Sequence, residues 1–269
     1  MSPRRHSTWP PCGKIVLLAL ATMTVFSTFS ALSPGHGWAI GPSSQIRVAT
    51  LAYAGGKNNP RPNGLRKMLQ EVEKRTSISV DPRPVAVDPE NKRALLKHPL
   101  LFWVGEGAFA PLSDAAVSNL SLYLRAGGTI VVDSADATIG GPFEASVRRE
   151  MAKILPSQSF VKIPGSHVLY KSFYLIGQPV GRVAISSSLE GIFGEDRAMV
   201  LLSQNDMLGA WARDNFGNFE FDVFPGGERQ RDMSYRLGVN IVMYALCLNY
   251  KEDQVHVPFI LKRRKWKID

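Results

Sequence analysis

The chain's 269 residues, 45% hydrophobic and 20% charged with two Cys, exclude a disordered chain, a collagen-like fibre and a disulfide-stapled miniprotein. The net charge of +9 gathers at the ends, with +3 in residues 1–39 and +4 in residues 262–269, which leaves the body between them at +2. So neutral a body excludes a nucleic-acid groove.

In chain order, Arg4, Arg5 and Lys14 make a positive start, Ile15–Ala31 an apolar stretch, and Gly37 and Ala39 a small-residue site for cleavage after Ala39. That three-part order is a secretory signal over residues 1–39 and predicts an exported, periplasmic chain. The alternative is an uncleaved anchor in the inner membrane facing the periplasm, since a stretch of 17 residues stands at the short edge of a span. Thr22, Thr24, Ser27, Thr28 and Ser30 interrupt the stretch and favour cleavage. Arg4-Arg5 lacks the apolar continuation of a twin-arginine signal. Cys12 precedes the apolar run, so it is no lipid-bearing residue, and its removal leaves Cys247 alone. Cys247 lies among apolar residues at helical spacing and reads as a small core hydrophobe.

From Ile46 the pattern alternates strand and helix over one domain, residues 40–250. Ile46–Tyr53 predicts a strand turning at Gly55-Gly56, and Asn63 caps a helix through Thr76 with Leu65, Met68, Leu69 and Val72 on one face. Ile78–Val87 is a second strand, Glu90–Lys97 a short helix and Leu100–Val104 a third strand closed by Gly105-Glu106-Gly107. Ser113 caps the next helix, whose stripe is Ala116, Val117, Leu120 and Leu124 and whose stop is Gly127-Gly128. Thr129–Val132 is uniformly apolar, which suits a central strand covered on both faces. Phe143–Leu155 predicts a helix, Arg197–Ser203 a core strand and Arg229–Leu248 a long closing helix. Phe160–Ile192 is the least regular part and reads as an inserted hairpin or site cover. The sum is a doubly wound, three-layer α/β domain with a mostly parallel sheet, followed by a basic tail over residues 251–269.

Six blocks in this order carry a family resemblance: Pro99–Phe109, Gly127–Asp136, Arg148–Pro156, His167–Tyr174, Leu189–Trp211 and Pro225–Leu246. Together they resemble the bacterial domain-of-unknown-function family 4159 from about Ile46 to Leu248. The resemblance implies a fold similar to the class I glutamine amidotransferase-like and flavodoxin-like α/β proteins. It also implies an envelope location, and it brings no established reaction.

In open α/β sheets ligands bind beyond the carboxyl ends of the strands. Four such ends present Tyr53 with Gly55 and Gly56, then Glu106, then Asp133, Ser134 and Asp136, then Asn205 and Asp206, with Arg148 as a further ligand-binding candidate. If these converge, they would hold a polar small molecule, or a divalent cation on Asp133, Asp136 and Asp206. Otherwise they are turn formers and helix caps. The amidotransferase-like resemblance places a nucleophile after the strand Thr129–Val132, where this chain has Ser134 in place of a thiol. Ser134 with His167 as base and Glu190 as orienting acid makes a candidate hydrolase triad. Pro225–Arg229 is a glycine turn entering a helix, but Glu228 at the helix start opposes an anion there. Arg148, Arg149, Arg229, Arg231 and Arg236 are expected to pair with Glu150, Glu190, Glu228 and the strand-end acids.

The function expected is therefore an exported, non-catalytic module that binds an envelope protein partner or a small polar ligand. The alternative is a hydrolase. No cofactor, resident metal or nucleic-acid partner is expected. The cations of Lys262–Lys267 around Trp266 allow at most a weak contact with an anionic membrane surface.

Overall fold

The computed structural model describes residues 45–194 and 197–246. The segment read above as a signal, both Cys and the basic tail lie outside the described residues. The elements are β1 (Ile46–Leu51), β2 (Lys57–Asn58), α1 (Pro62–Arg75), β3 (Val80–Val87), α2 (Lys92–Leu95), β4 (Leu100–Glu106), α3 (Asp114–Arg125), β5 (Thr129–Ser134), α4 (Pro142–Ile154), β6 (Val161–Lys162), β7 (Glu190–Phe193), β8 (Ala198–Ser203), α5 (Met207–Trp211) and α6 (Gly227–Leu246).

The strands lie side by side in the order β3-β1-β4-β5-β8-β7-β6, with β2 added to β4. The five strands β3, β1, β4, β5 and β8 are parallel. The short β2, β6 and β7 are antiparallel additions. The protein is thus α/β with a mixed, mostly parallel sheet.

Strand geometry divides the core. Successive side chains point to opposite faces, so Phe102, Val104, Val131 and Leu201 join one core with α1, α5 and α6. Leu101, Trp103, Ile130, Val132, Val200 and Leu202 join a second with α3 and α4. Both cores are continuous, which explains why β4, β5 and β8 are apolar without alternation.

Local differences from the sequence reading have physical causes. Helix α1 starts at Pro62, whose fixed φ and missing N–H suit a first helical position. Asn63 therefore falls inside the first turn, and its amide reaches Glu220 at 2.6 Å instead of capping. Asp133 and Ser134 continue β5 rather than forming a turn. The irregular stretch Phe160–Ile192 supplies the edge pair β6 and β7, and its remaining backbone is held by side-chain amides. Asn240 of α6 bonds Leu169 and Tyr174, and Asn205 bonds the chain at Pro179, Ile185 and Ser186. Buried backbone needs such partners where no ladder provides them.

Candidate functional site

The carboxyl edge of the parallel strands gathers the polar residues that the sequence singled out, and most of them turn inward. Asp133 is fully buried and accepts the N–H groups of Met207 (2.9 Å) and Leu208 (2.8 Å), the start of α5. Burial, and then neighbouring Asp206, push its carboxyl up to about 7, while those two donors work the other way. Asp206 caps the same helix through Gly209 N–H at 3.0 Å. Its carboxylate is closed in by Arg61 at 3.0 Å and by Arg182. Asp206 is also left-handed, at φ 50°, a conformation that Asp tolerates better than most residues. The sharp strand-to-helix elbow of this fold is therefore at Asp206 after β8, not at Ser134, which is the last residue of β5.

Asp136 serves a different helix. Its two oxygens accept Gly107 N–H and Phe143 N–H, each at 2.7 Å, tying the loop after β4 to the start of α4. Phe143 belongs to one core and Met207 and Leu208 to the other, so Asp133 with Asp206 and Asp136 work on opposite faces of the sheet. The three carboxylates do not converge, which corrects the expectation of a shared cation site. Among the described residues no group of three or more His, Cys, Asp or Glu is placed to hold a metal ion.

The triad also comes apart. Ser134 is fully buried at the carboxyl end of β5, and among the described residues its Oγ has no hydrogen-bond partner. His167 packs edge-on against Phe193 (5.6 Å) and Tyr244 (5.5 Å), and its Nδ1 accepts Leu169 N–H. Phe193 pairs with Ala198 at the amino end of β8, whereas Asp133 beside Ser134 pairs with Ser203 at its carboxyl end. Five residue steps separate these ends, roughly 16 Å of strand. Burial depresses the imidazole's basicity further. Glu190 is at the carboxyl end but is joined to Arg148 at 2.7 Å, and Arg148 also binds buried Glu144. Glu190 therefore orients no base, and Arg148 is an internal clamp instead of a ligand-facing cation. The pairs Arg149–Glu150 and Arg231–Glu228 form as the sequence suggests, at 2.7 and 2.9 Å.

Tyr53, Gly55, Gly56 and Glu106 stay near the edge. The Tyr53 hydroxyl donates to Val104 O at 2.9 Å, and burial, then Asp136, raise its pKa. The ring packs with Trp103, Phe109 and Phe143. Gly105 makes room for it, since a Cβ there would meet the Tyr53 hydroxyl and the Phe143 ring. Gly55 and Gly56 turn with φ of 80° and 61°, and β2 then folds back on β4, where Lys57 pairs with exposed Glu106 at 3.0 Å.

This turn forms one wall of a cleft of about 530 Å³. Ala52, Tyr53 and Ala54 after β1 face Asp88, Pro89 and Glu90 after β3, with Ala110 to Ser113 and Ala116 from the loop after β4 and the start of α3. The position has a topological reason. The chain runs from β1 to β3 on one side and then crosses to β4 on the other, so the loops after β1 and β4 diverge. Such a switch point is where open parallel sheets leave a crevice. Asp88 and Glu90 are the residues that the sequence reading missed. The signal for them in the sequence is the strand end at Val87, a fifth carboxyl end followed by Asp-Pro-Glu.

Fold and cleft define an α/β protein with a mostly parallel sheet and a crevice at its carboxyl edge. The family described as domain of unknown function DUF4159 matches residues 47–246, and the chain belongs to that family. No curated protein matches. Among solved structures, a hypothetical protein from Streptococcus mutans is similar over 82% of this chain and 93% of its own, at 10% identity and a TM-score of 0.21.

Proposed function

We propose that this chain is an exported, non-catalytic envelope module that binds a small polar ligand, or a polar group of an envelope protein partner, in the cleft beyond β1, β3 and β4. One observation carries the reading: an open cavity lies at the switch point, whereas the strand-end acids elsewhere are spent as helix caps and clamps. The order of the five parallel strands, counted along the chain, is 2-1-3-4-5, which supports the flavodoxin-like reading of the fold. The amidotransferase-like reading receives less support, because Ser134 is the buried last residue of β5. Export rests on the pattern from Arg4 to Ala39, and the cations of the C-terminal tail would add weak attraction to anionic headgroups. No helix among the described residues is long and apolar enough to cross a membrane.

The test is a thermal-shift screen of the purified chain against polar small molecules, repeated on Ala110→Trp. Ala110 is exposed on the cleft wall, so a large side chain there fills the cavity and leaves the core alone. A compound at 100 times its Kd stabilises by about 2.7 kcal/mol, and the reading requires that shift to vanish in the variant. An equal shift in both chains would place the binding elsewhere.

A further inference from the structure

The cleft carries charge of one sign. Asp88 and Glu90 line it, and no other lining residue is Lys, Arg or His. Among the described residues neither carboxylate has an ion-pair partner. Both are held in place by neutral groups. Asp88 Oδ1 accepts Glu90 N–H at 2.8 Å, and Glu90 Oε1 accepts the Ser113 hydroxyl at 2.6 Å. The rest of the wall is largely apolar, with the methyl groups of Ala52, Ala54, Ala110 and Ala116 beside Pro111 and Leu112.

A cavity with hydrocarbon walls and two carboxylates selects by sign. An anion entering it would meet like charge without a compensating donor, and a neutral polyol would gain only hydrogen bonds. A cation gains Coulomb attraction from both carboxylates, which are exposed, so that each contributes at the strength of a surface ion pair. Resting on the cleft reading above, we infer that the ligand class is an aliphatic amine or guanidinium compound, seated with its cation between Asp88 and Glu90 and its hydrocarbon against the alanines.

The test uses the full chain carrying 13C-labelled alanine methyls and three probes of matched length: 1,5-diaminopentane, 1,5-pentanediol and glutarate. The diamine is expected to shift the methyls of Ala52, Ala54, Ala110 and Ala116, with the diol far weaker and glutarate silent. Asp88→Asn with Glu90→Gln keeps both acceptor oxygens and so preserves the local hydrogen bonds, yet should weaken the diamine about tenfold. A diol that binds as tightly as the diamine, or a double variant with undiminished affinity, overturns the cationic assignment and leaves the cleft as a site. If these methyls stay unmoved by every compound, including those of the thermal-shift screen, the cleft reading itself fails.

Discussion

A carboxylate at a strand end has two ways to satisfy its oxygens: solvent and ligand outside, or backbone N–H groups within. Asp133 takes the second, since the chain re-enters a helix after only three residues beyond β8 and aims the Met207 and Leu208 N–H groups at it. Its place is visible in sequence, but its direction is not, because α5 has only five residues and no periodic signature. Burial has a measurable consequence. The folded carboxyl titrates at about 7, against about 4 for an ordinary one. In that window the folded chain holds a proton that the unfolded chain has lost, so stability falls as pH rises. Urea unfolding between pH 5 and 8 should show the wild type losing stability relative to Asp133→Asn; a constant difference would contradict the assignment. Ser134 makes the opposite prediction. Its buried, unpartnered hydroxyl contributes nothing that a methyl would not, so Ser134→Ala should leave stability unchanged or raise it by up to about 1 kcal/mol. A fall in stability, or the loss of a hydrolytic activity, would restore it to a working role.

At the scale of elements, the buried charges join pieces that sequence order keeps apart. Arg61 precedes α1, Arg182 lies in the irregular stretch and Asp206 caps α5, yet the three meet in one cluster. Arg61 also stacks on Phe221 at 4.1 Å. Removing Arg61 takes one of two cations from the fully buried Asp206 carboxylate and leaves Arg182 alone to compensate it. Arg61→Met should therefore cost about 2–3 kcal/mol by urea unfolding, with most of that loss absent when Asp206→Asn is already in place. Equal losses in both backgrounds would mean that the pair does not couple. Periodicity and capping show the long helices well: Ser113 caps α3 through Ala116 N–H at 3.2 Å, and the stripe of α1 is buried as read. The stretch from Phe160 to Ile192 is different. Its order comes from Asn205 and Asn240, whose amides act over 19 to 71 residues of sequence. No local pattern announces a contact of that kind.

For the whole molecule, the apolar uniformity of Thr129–Val132 and its neighbours is enough to indicate a covered, mostly parallel sheet, because only a strand buried on both faces tolerates it. Which strand ends share a crevice depends on strand order, and order is not written in any single segment. Val87 and the Asp-Pro-Glu that follows it become part of a cleft only because β3 and β4 flank β1 on opposite sides. The candidate triad fails for the same reason, since the antiparallel run of β7 carries Phe193 and His167 to the far edge from Ser134.

The decisive measurement is a crystal structure of the chain soaked with a library of polar fragments that includes primary amines. Bound fragments should cluster between Tyr53, Glu90 and Leu112, with amino groups toward Asp88 and Glu90. Fragments gathered instead around Asp133, Asp206 and Ser134, with the cleft bare at the same concentrations, would contradict the assignment of the site.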